Sequence, residues 1–305
     1  MADRILGTDI SRYQGNIDFA KAKGNGIVFA IFKAGEVINN GQTEWTDTKY
    51  ARNIVEGKAH GLITGAYYFF HPAVGASQQA RHFKSILDQY GYPDMPLAID
   101  VEVNDNKSAA HCAAVLKAMI DQLEQETGRK IMIYTRANIW ISQYGNPSWT
   151  KDYPLWLAQY PLIDPITNPS TYSGKMNSTT ASLNPAIWQF TERMQLPGLP
   201  NMDGNFWLGT MEELETFADE SYGTEPPEPQ PKRVRITANF LRFRPEPVYR
   251  VAPTLIVEKT QELDVAGDSI YEPASGITWL PVHYPDGYAE GIAYISANPN
   301  YITEV

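Results

Sequence analysis

Asp100 and Glu102 stand two residues apart in an otherwise apolar run, Pro96-Leu-Ala-Ile-Asp100-Val-Glu102-Val103. In a strand, alternate side chains share a face, so the two acids project together. Flanked by Leu97, Ile99, Val101 and Val103, they lose hydration and repel each other, which raises one pKa and leaves a proton donor beside an anion. That is the equipment of general-acid catalysis. The alternative is a pair at a strand end that is merely solvated or salt-bridged. Two further acids occupy comparable places: Asp9 in Ile5-Leu-Gly-Thr-Asp9-Ile-Ser-Arg-Tyr-Gln-Gly15, and Asp203 in Asn201-Met-Asp203-Gly-Asn-Phe-Trp207. Taken alone, the first also reads as a helix N-cap and the second as a tight turn.

Aromatic residues fall at the ends of the same apolar runs: Tyr67, Tyr68, Phe69, Phe70, Tyr134, Trp156, Tyr160, and Trp188 with Gln189. Pyranose rings pack their C–H faces on aromatic rings while their hydroxyls need fixed polar partners, so acids ringed by Tyr and Trp suit a carbohydrate cleft. For any one ring, core packing is the ordinary role. Other chemistries lack their residues. The five histidines form no metal-binding spacing, no phosphate-binding loop or dinucleotide fingerprint occurs, and Gly-x-Ser-x-Gly is missing. The single cysteine, Cys112, excludes intrachain disulfides and multi-cysteine zinc sites, and its place on an apolar helix stripe makes it a core thiol. We therefore expect neither metal nor cofactor.

The elements that must hold these residues alternate. Residues 5–10, 27–34, 63–70, 97–103, 131–135, 155–158 and 187–190 read as strands, several with the continuous apolar character of strands buried on both faces. Residues 46–60, 78–90 and 108–127 read as helices; in the third, Cys112, Val115, Leu116, Met119, Ile120 and Leu123 form one stripe that stops at Gly128. Repeated strand–helix alternation over about 220 residues predicts an α/β fold, an irregular TIM-like (β/α) barrel, with an open doubly wound sheet as the alternative. The acids would sit at the C-terminal ends of the strands, where such barrels gather their chemistry. Residues 161–184, rich in Pro, Asn, Ser and Thr, predict that the last outer helices are missing.

With 305 residues, 43% of them hydrophobic, the chain has material for two cores. We expect a body over 1–222, a linker over 223–231 holding four prolines and two glutamates, and a second body over 232–305. The last has short strands at 234–236, 254–257, 279–282 and 293–296 between Pro and Gly turns and reads as a small all-β barrel. There are 18 basic against 26 acidic residues up to Pro231 and 7 against 9 beyond it, so neither part offers the basic surface that nucleic acid requires. No apolar stretch approaches the roughly 20 residues of a spanning helix, so membrane insertion is not expected.

In order along the chain, Asp9-Ile-Ser-Arg-Tyr-Gln-Gly15 with Ile17-Asp18-Phe19, Phe29-Ala-Ile-Phe-Lys-Ala34, Gly65-Ala-Tyr-Tyr-Phe69, Asp100-Val-Glu102, Ile133-Tyr134-Thr135, Leu155-Trp-Leu-Ala-Gln-Tyr160, Ile187-Trp-Gln-Phe190 and Asp203-Gly-Asn-Phe206 resemble glycoside hydrolase family 25, the Chalaropsis-type lysozymes. The resemblance spans residues 4 to 218. It implies a barrel that cleaves the β-1,4 bond between N-acetylmuramic acid and N-acetylglucosamine in bacterial peptidoglycan. Glu102 would then be the general acid, Asp100 its partner, and Asp9 and Asp203 supporting acids. Asp100 would steady the substrate's N-acetyl group as it attacks, or activate water. Tyr67, Tyr134, Trp156 and Gln189 would line the cleft.

Three positions depart from the family pattern: Gly35 replaces a Ser or Thr, Tyr68 a His, and Phe19 a Trp. None of them removes a carboxylate, so they bear on subsite preference more than on activity. Asn239-Phe-Leu-Arg-Phe-Arg-Pro245 and Gly291-Ile-Ala-Tyr-Ile-Ser296 resemble, more loosely, a bacterial SH3-like cell-wall module, with Phe243 and Tyr294 as binding or core aromatics. The opening residues carry no secretory signal. This fits a phage endolysin made in the cytoplasm and released onto the wall, or an extracellular autolysin. The competing classes are an inactive wall-binding or phage structural protein and a chitinase-like glycosidase.

Overall fold

Alternate residues along the apolar runs face two different cores, and this alternation organises the fold. The protein is described by a computed structural model over residues 4–161, 165–219, 233–248, 252–253, 255–258, 261–266, 270–272, 275–284 and 292–304. The chain divides into two compact units, Met1–Pro226 and Pro227–Val305. The proline-rich run 223–231 lies outside the described residues.

The first unit contains β1 (Ile5–Ile10), β2 (Phe29–Ile38), β3 (Thr43–Thr46), β4 (Ile63–Phe69), β5 (Leu97–Asp100), β6 (Ile131–Arg136), β7 (Leu155–Ala158), β8 (Ile187–Met194) and β9 (Met202–Trp207). They pair in the order β1-β9-β8-β7-β6-β5-β4-β2-β3, and a further β1–β2 pairing closes the first eight into a barrel. The ladders are parallel from β1 through β2 and β4 to β8. Only β9, antiparallel to both β8 and β1, and β3, a hairpin partner outside the ring, run the other way. The barrel is therefore mixed.

One side-chain set, including Phe29, Ile31, Ala98, Met132, Trp156 and Ile187, fills the lumen. The residues between them, such as Ala30, Phe32, Leu97, Ile99, Ile131, Ile133, Leu155 and Leu157, pack outward against the helices. Burial on both faces explains the unbroken apolar runs. Gly7 shares the lumen parity because a Cβ there would lie 2.3 Å from the Phe29 ring.

The outer layer comprises α1 (Phe19–Gly24), α2 (Tyr50–Ala59), α3 (Ala76–Tyr90), α4 (Ala109–Thr127), α5 (Ala137–Tyr144), α6 (Ser178–Ser182) and α7 (Met211–Asp219). In α4, Ser108 caps the start by accepting from the His111 amide, and Gly128 ends it in the left-handed conformation at φ 65°. Its stripe of Cys112, Leu116, Met119, Ile120 and Leu123 is fully buried, and Leu116→Ala there would cost about 2–5 kcal/mol. Among the described residues between β7 and β8 there are the five-residue α6 and a 3-10 turn, Pro169–Thr171, so the expected loss of the last outer helices is a shortening instead: α6 is one short helix and α7 follows β9.

Several elements differ from their sequence patterns. β5 stops at Asp100, so Glu102 lies just beyond the strand. α2 starts at Tyr50 because Thr43–Thr46 is taken by β3. The run Met202–Trp207 is a strand although its Asp-Gly-Asn composition reads as a turn. Asp203 therefore sits near the start of an antiparallel strand and not at a C-terminal end; the reversed direction brings it to the same rim.

The second unit is all-β in its described residues: β10 (Arg233–Ile236), β11 (Phe240–Phe243), β12 (Leu255–Glu258), β13 (Glu262–Asp264), β14 (Ile270–Glu272), β15 (Ile277–His283), β16 (Ile292–Ser296) and β17 (Ile302–Glu304). They form antiparallel sheets β13-β10-β17, β11-β12 and β14-β15-β16. Val234, Ile236, Leu241, Phe243, Leu263, Val282, Ala293, Ile295 and Ile302 make one core. Phe243 is fully buried and is a core residue, whereas Tyr294 is half-buried. Among the described residues of the chain, no helix is long and apolar enough to cross a membrane.

Candidate active site

Lumen parity carries the chemistry to the barrel mouth. Asp9 follows Gly7 on β1, Asp100 follows Ala98 on β5, Tyr134 follows Met132 on β6, and Gln189 follows Ile187 on β8. On β9 the same parity holds Asp203, Asn205 and Trp207. These side chains meet around a cavity of about 210 Å³ lined by Asp9, Tyr67, Asp100, Glu102, Tyr134, Arg136, Trp156, Tyr160, Gln189, Glu192 and Asp203. The four acids and the four residues expected to line a cleft, Tyr67, Tyr134, Trp156 and Gln189, are all in that lining.

Their environments differ. Asp9 is buried, and its Oδ2 accepts from Gln189 Nε2 at 2.8 Å and Asn205 Nδ2 at 2.7 Å. Gln189 Oε1 accepts from the phenols of Tyr134 and Tyr160, each at 2.7 Å. Asn205 Oδ1 accepts from Trp156 Nε1 at 2.7 Å. Both amides are thus oriented from behind to present their nitrogens to Asp9. Asp203 pairs with Asp9 in the β1–β9 ladder, and its backbone carbonyl accepts from the Thr8 hydroxyl at 2.7 Å.

Burial and repulsion fix the protons. Burial raises Asp9 above the ordinary carboxylate value, opposed by the bonds from Asn205 and Gln189. Burial first, then the charge of Asp9 and a hydrogen bond with it, pushes Asp203 up to about 9. Asp203 therefore carries the proton of that pair at neutral pH, because two adjacent ionised carboxylates in a desolvated site repel. Asp100 is raised well above its usual value by burial and then by Glu102. Its Oδ1 is buried without a hydrogen-bond partner among the described residues. Glu102 is raised by burial, against the lowering influence of Arg136, whose Nε lies 3.9 Å from Oε1. Asp100 and Glu102 titrate as a unit, and one proton on that pair is the favoured state.

Glu102 is the more accessible of the two, with its side chain 31% exposed, while Asp100 is 5% exposed. The acid at the mouth can reach a substrate atom; the acid beneath it is shielded. The Tyr134 phenol has two acceptors in reach, Gln189 Oε1 at 2.7 Å and Glu102 Oε1 at 3.4 Å, and its bond to Glu102 also lowers that carboxyl.

Not every expected aromatic reaches this cavity. Tyr68, Phe70 and Trp188 have the opposite parity and are fully buried outside the barrel, Tyr68 with its hydroxyl on His82 Nδ1 at 2.8 Å. The departures at Gly35, Tyr68 and Phe19 likewise lie in packing and not in the lining: Phe19 stacks edge-on to Phe32, and Gly35 abuts Trp45. Conversely, Arg136 and Asn205 were not singled out. Asn205 was legible, being two residues from Asp203 on one face; Arg136, following Thr135 in an ordinary strand end, gave no signal.

A closed barrel whose mouth gathers five carboxylates, Asp9, Asp100, Glu102, Glu192 and Asp203, in a small cavity, with Asp9–Asp203 and Asp100–Glu102 as proton-sharing pairs, is the arrangement of a glycosidase. Residues 8–199 match the model of the glycosyl hydrolases family 25. The chain belongs to this family. It is similar to the uncharacterized protein YegX of Escherichia coli K12, 32% identical over 221 residues that cover 70% of this chain and 74% of YegX. An N,O-diacetylmuramidase of Arthroderma benhamiae is 29% identical over 228 residues, covering 71% and 88%. Among solved structures, the muramidase from Acremonium alcalophilum superposes with a TM-score of 0.56 at 26% identity, over 71% of this chain and 99% of that one. The spore cortex lytic enzyme SleM of Clostridium perfringens, at 19% identity and a TM-score of 0.56, shares the fold over 99% of this chain and 97% of its own.

Proposed function

We propose that the protein is a peptidoglycan hydrolase of the N-acetylmuramidase type, cleaving the β-1,4 bond between N-acetylmuramic acid and N-acetylglucosamine. The observation that carries this reading is the raised, mouth-facing Glu102 above the buried Asp100 in one polar cavity. Glu102 gives its proton to the glycosidic oxygen as the bond to the anomeric carbon breaks. Asp100, ionised once the pair's proton is on Glu102, steadies the substrate's acetamido group while its carbonyl oxygen bonds to the anomeric carbon. Water then opens that ring, and Glu102 takes back a proton from it. Asp9, held as an anion by Gln189 and Asn205, and the proton-bearing Asp203 form the opposite wall.

The second unit we read as a wall-binding module of the SH3-like type, which would raise the concentration of the catalytic body at its polymer without adding contacts at the scissile bond. A role as a phage endolysin or an autolysin follows from that pairing. The test is Glu102→Gln in the full chain. Release of reducing ends from purified peptidoglycan should disappear while the circular dichroism and thermal midpoint stay in place; undiminished release would overturn the assignment. In the wild type, NMR of the first sugar freed should show retained configuration, and inversion would make Asp100 a base for water instead.

A further inference from the structure

A second cavity of about 420 Å³ opens beside the catalytic one, and the two share Arg136 and Tyr160 as walls. Asn138, Gln159, Asn177 and Thr179 supply most of its other polar groups. The direction of its hydrogen bonds sets it apart. Gln159 Oε1 accepts from the backbone amide of Asn177 at 2.9 Å, and Asn177 Oδ1 accepts from that of Thr180 at 2.9 Å. Each acceptor oxygen is thus tied to a backbone amide of the wall, and the two NH₂ groups donate to no described residue. The Arg136 guanidinium packs over the Tyr160 ring at 5.1 Å. Its nearest carboxylate oxygen, on Glu102, is 3.9 Å away, beyond hydrogen-bonding distance.

This chamber, rich in unanswered donors, thus adjoins one lined by acids. Sugar hydroxyls need acceptors as well as donors, and the carboxylates of the catalytic cavity provide them. A wall of amide NH₂ groups and a guanidinium fork instead matches carbonyl and carboxylate oxygens. We propose that this cavity receives the acceptor oxygens of the arm at O3 of the muramyl sugar, either its lactyl carboxyl group or the peptide joined to it. It would thereby select muramyl-containing strands over plain N-acetylglucosamine polymers. This inference rests on the glycan cleavage proposed above.

Asn177→Asp and Gln159→Glu test it cleanly, because each keeps the oxygen that holds the wall together and replaces only the outward NH₂ by a carboxylate oxygen. Steady-state kinetics of the full chain would be measured on glycan strands bearing peptide stems and on strands stripped of them by an amidase. Each variant should lower kcat/KM at least tenfold through KM. A loss confined to stem-bearing strands assigns the pocket to the peptide; a loss on both assigns it to the lactyl group. Unchanged KM on both substrates overturns the proposal. Binding of muramyl dipeptide, measured by NMR titration in the Glu102→Gln chain, needs no turnover and should weaken by the same factor with either variant. Wild-type protein that cleaves neither substrate would overturn the hydrolase reading, whereas dipeptide binding unmoved by either variant would overturn this one alone.

Discussion

Gln189 and Asn205 stand directly opposite each other across the β8–β9 ladder, and both donate to a single oxygen, Oδ2 of Asp9. Two donors on one oxygen favour the charged form of Asp9, which leaves the shared proton on Asp203. Gln189→Glu would place a third carboxylate against Asp9 and remove the donor. Turnover of peptidoglycan should fall at least tenfold at the pH optimum, with near-ultraviolet circular dichroism unaltered. Full activity in this variant would show that the charge on Asp9 has no part in the reaction.

Arg136 holds the Glu102 carboxyl lower than burial alone would. Without the guanidinium, Glu102 keeps its proton to higher pH. The alkaline limb of kcat/KM should therefore move upward in Arg136→Met, as a full pH–rate profile would reveal. A limb that stays in place or moves to lower pH would separate Arg136 from the acid.

His71 lies between Glu36 and Asp105, with Nε2 3.7 Å from Glu36 Oε2 and Nδ1 3.3 Å from Asp105 Oδ2, while Lys33 Nζ holds the other Glu36 oxygen at 2.9 Å. The Glu36 carboxylate beside it raises His71, and His71 together with Lys33 holds Glu36 down at about 2. The raised His71 contributes stability that is complete below the ordinary histidine value near 6.5 and is lost as pH climbs through its folded value. The depressed Glu36 contributes above the ordinary 4.5 and loses its share as pH falls toward 2. His71→Gln should accordingly be less stable than wild type by about 1 kcal/mol between those limits, after allowance for partial solvent screening. Thermal melts from pH 3 to 9 should show the gap closing at both ends. A gap of constant width would refute the ion-pair account.

Gly35 follows the shift in the β2–β4 register at Ala34, and a Cβ there would sit 2.5 Å from the Trp45 carbonyl oxygen and 2.8 Å from Ile86 Cδ1. The backbone oxygen cannot step aside cheaply. Restoring the family's usual Ser with Gly35→Ser should destabilise the chain by about 1–3 kcal/mol. A lowered midpoint in calorimetry is the expected result; an unchanged one would mean that β3 yields.

The strand positions of the barrel were legible because residues buried on both faces leave unbroken apolar runs, and β1 and β7 match their expected bounds to the residue. Asp9, Asp100 and Glu102 could be paired with the mouth by counting in twos. β9 escaped because Asp-Gly-Asn is turn-like in isolation; only the neighbouring β1 and β8 make those polar residues a strand. Tyr68 and Trp188 were misplaced for a related reason. Aromatic character reveals burial but not which of two faces is buried, and parity counted from Ile187 would have sent Trp188 outward. Arg136 and the Gln159–Asn177 pairing depend on tertiary contacts between β6, β7 and the segment before α6, which no local pattern encodes.

The backward course of β9 also makes half the site local. Gln189, Asp203 and Asn205 all ride on one hairpin, while their target Asp9 waits on a strand nearly two hundred positions earlier. Grafting residues 187–207 between relatives would carry both amide donors to Asp9 together, but would keep them oriented only where the recipient also supplies the equivalents of Tyr134, Trp156 and Tyr160.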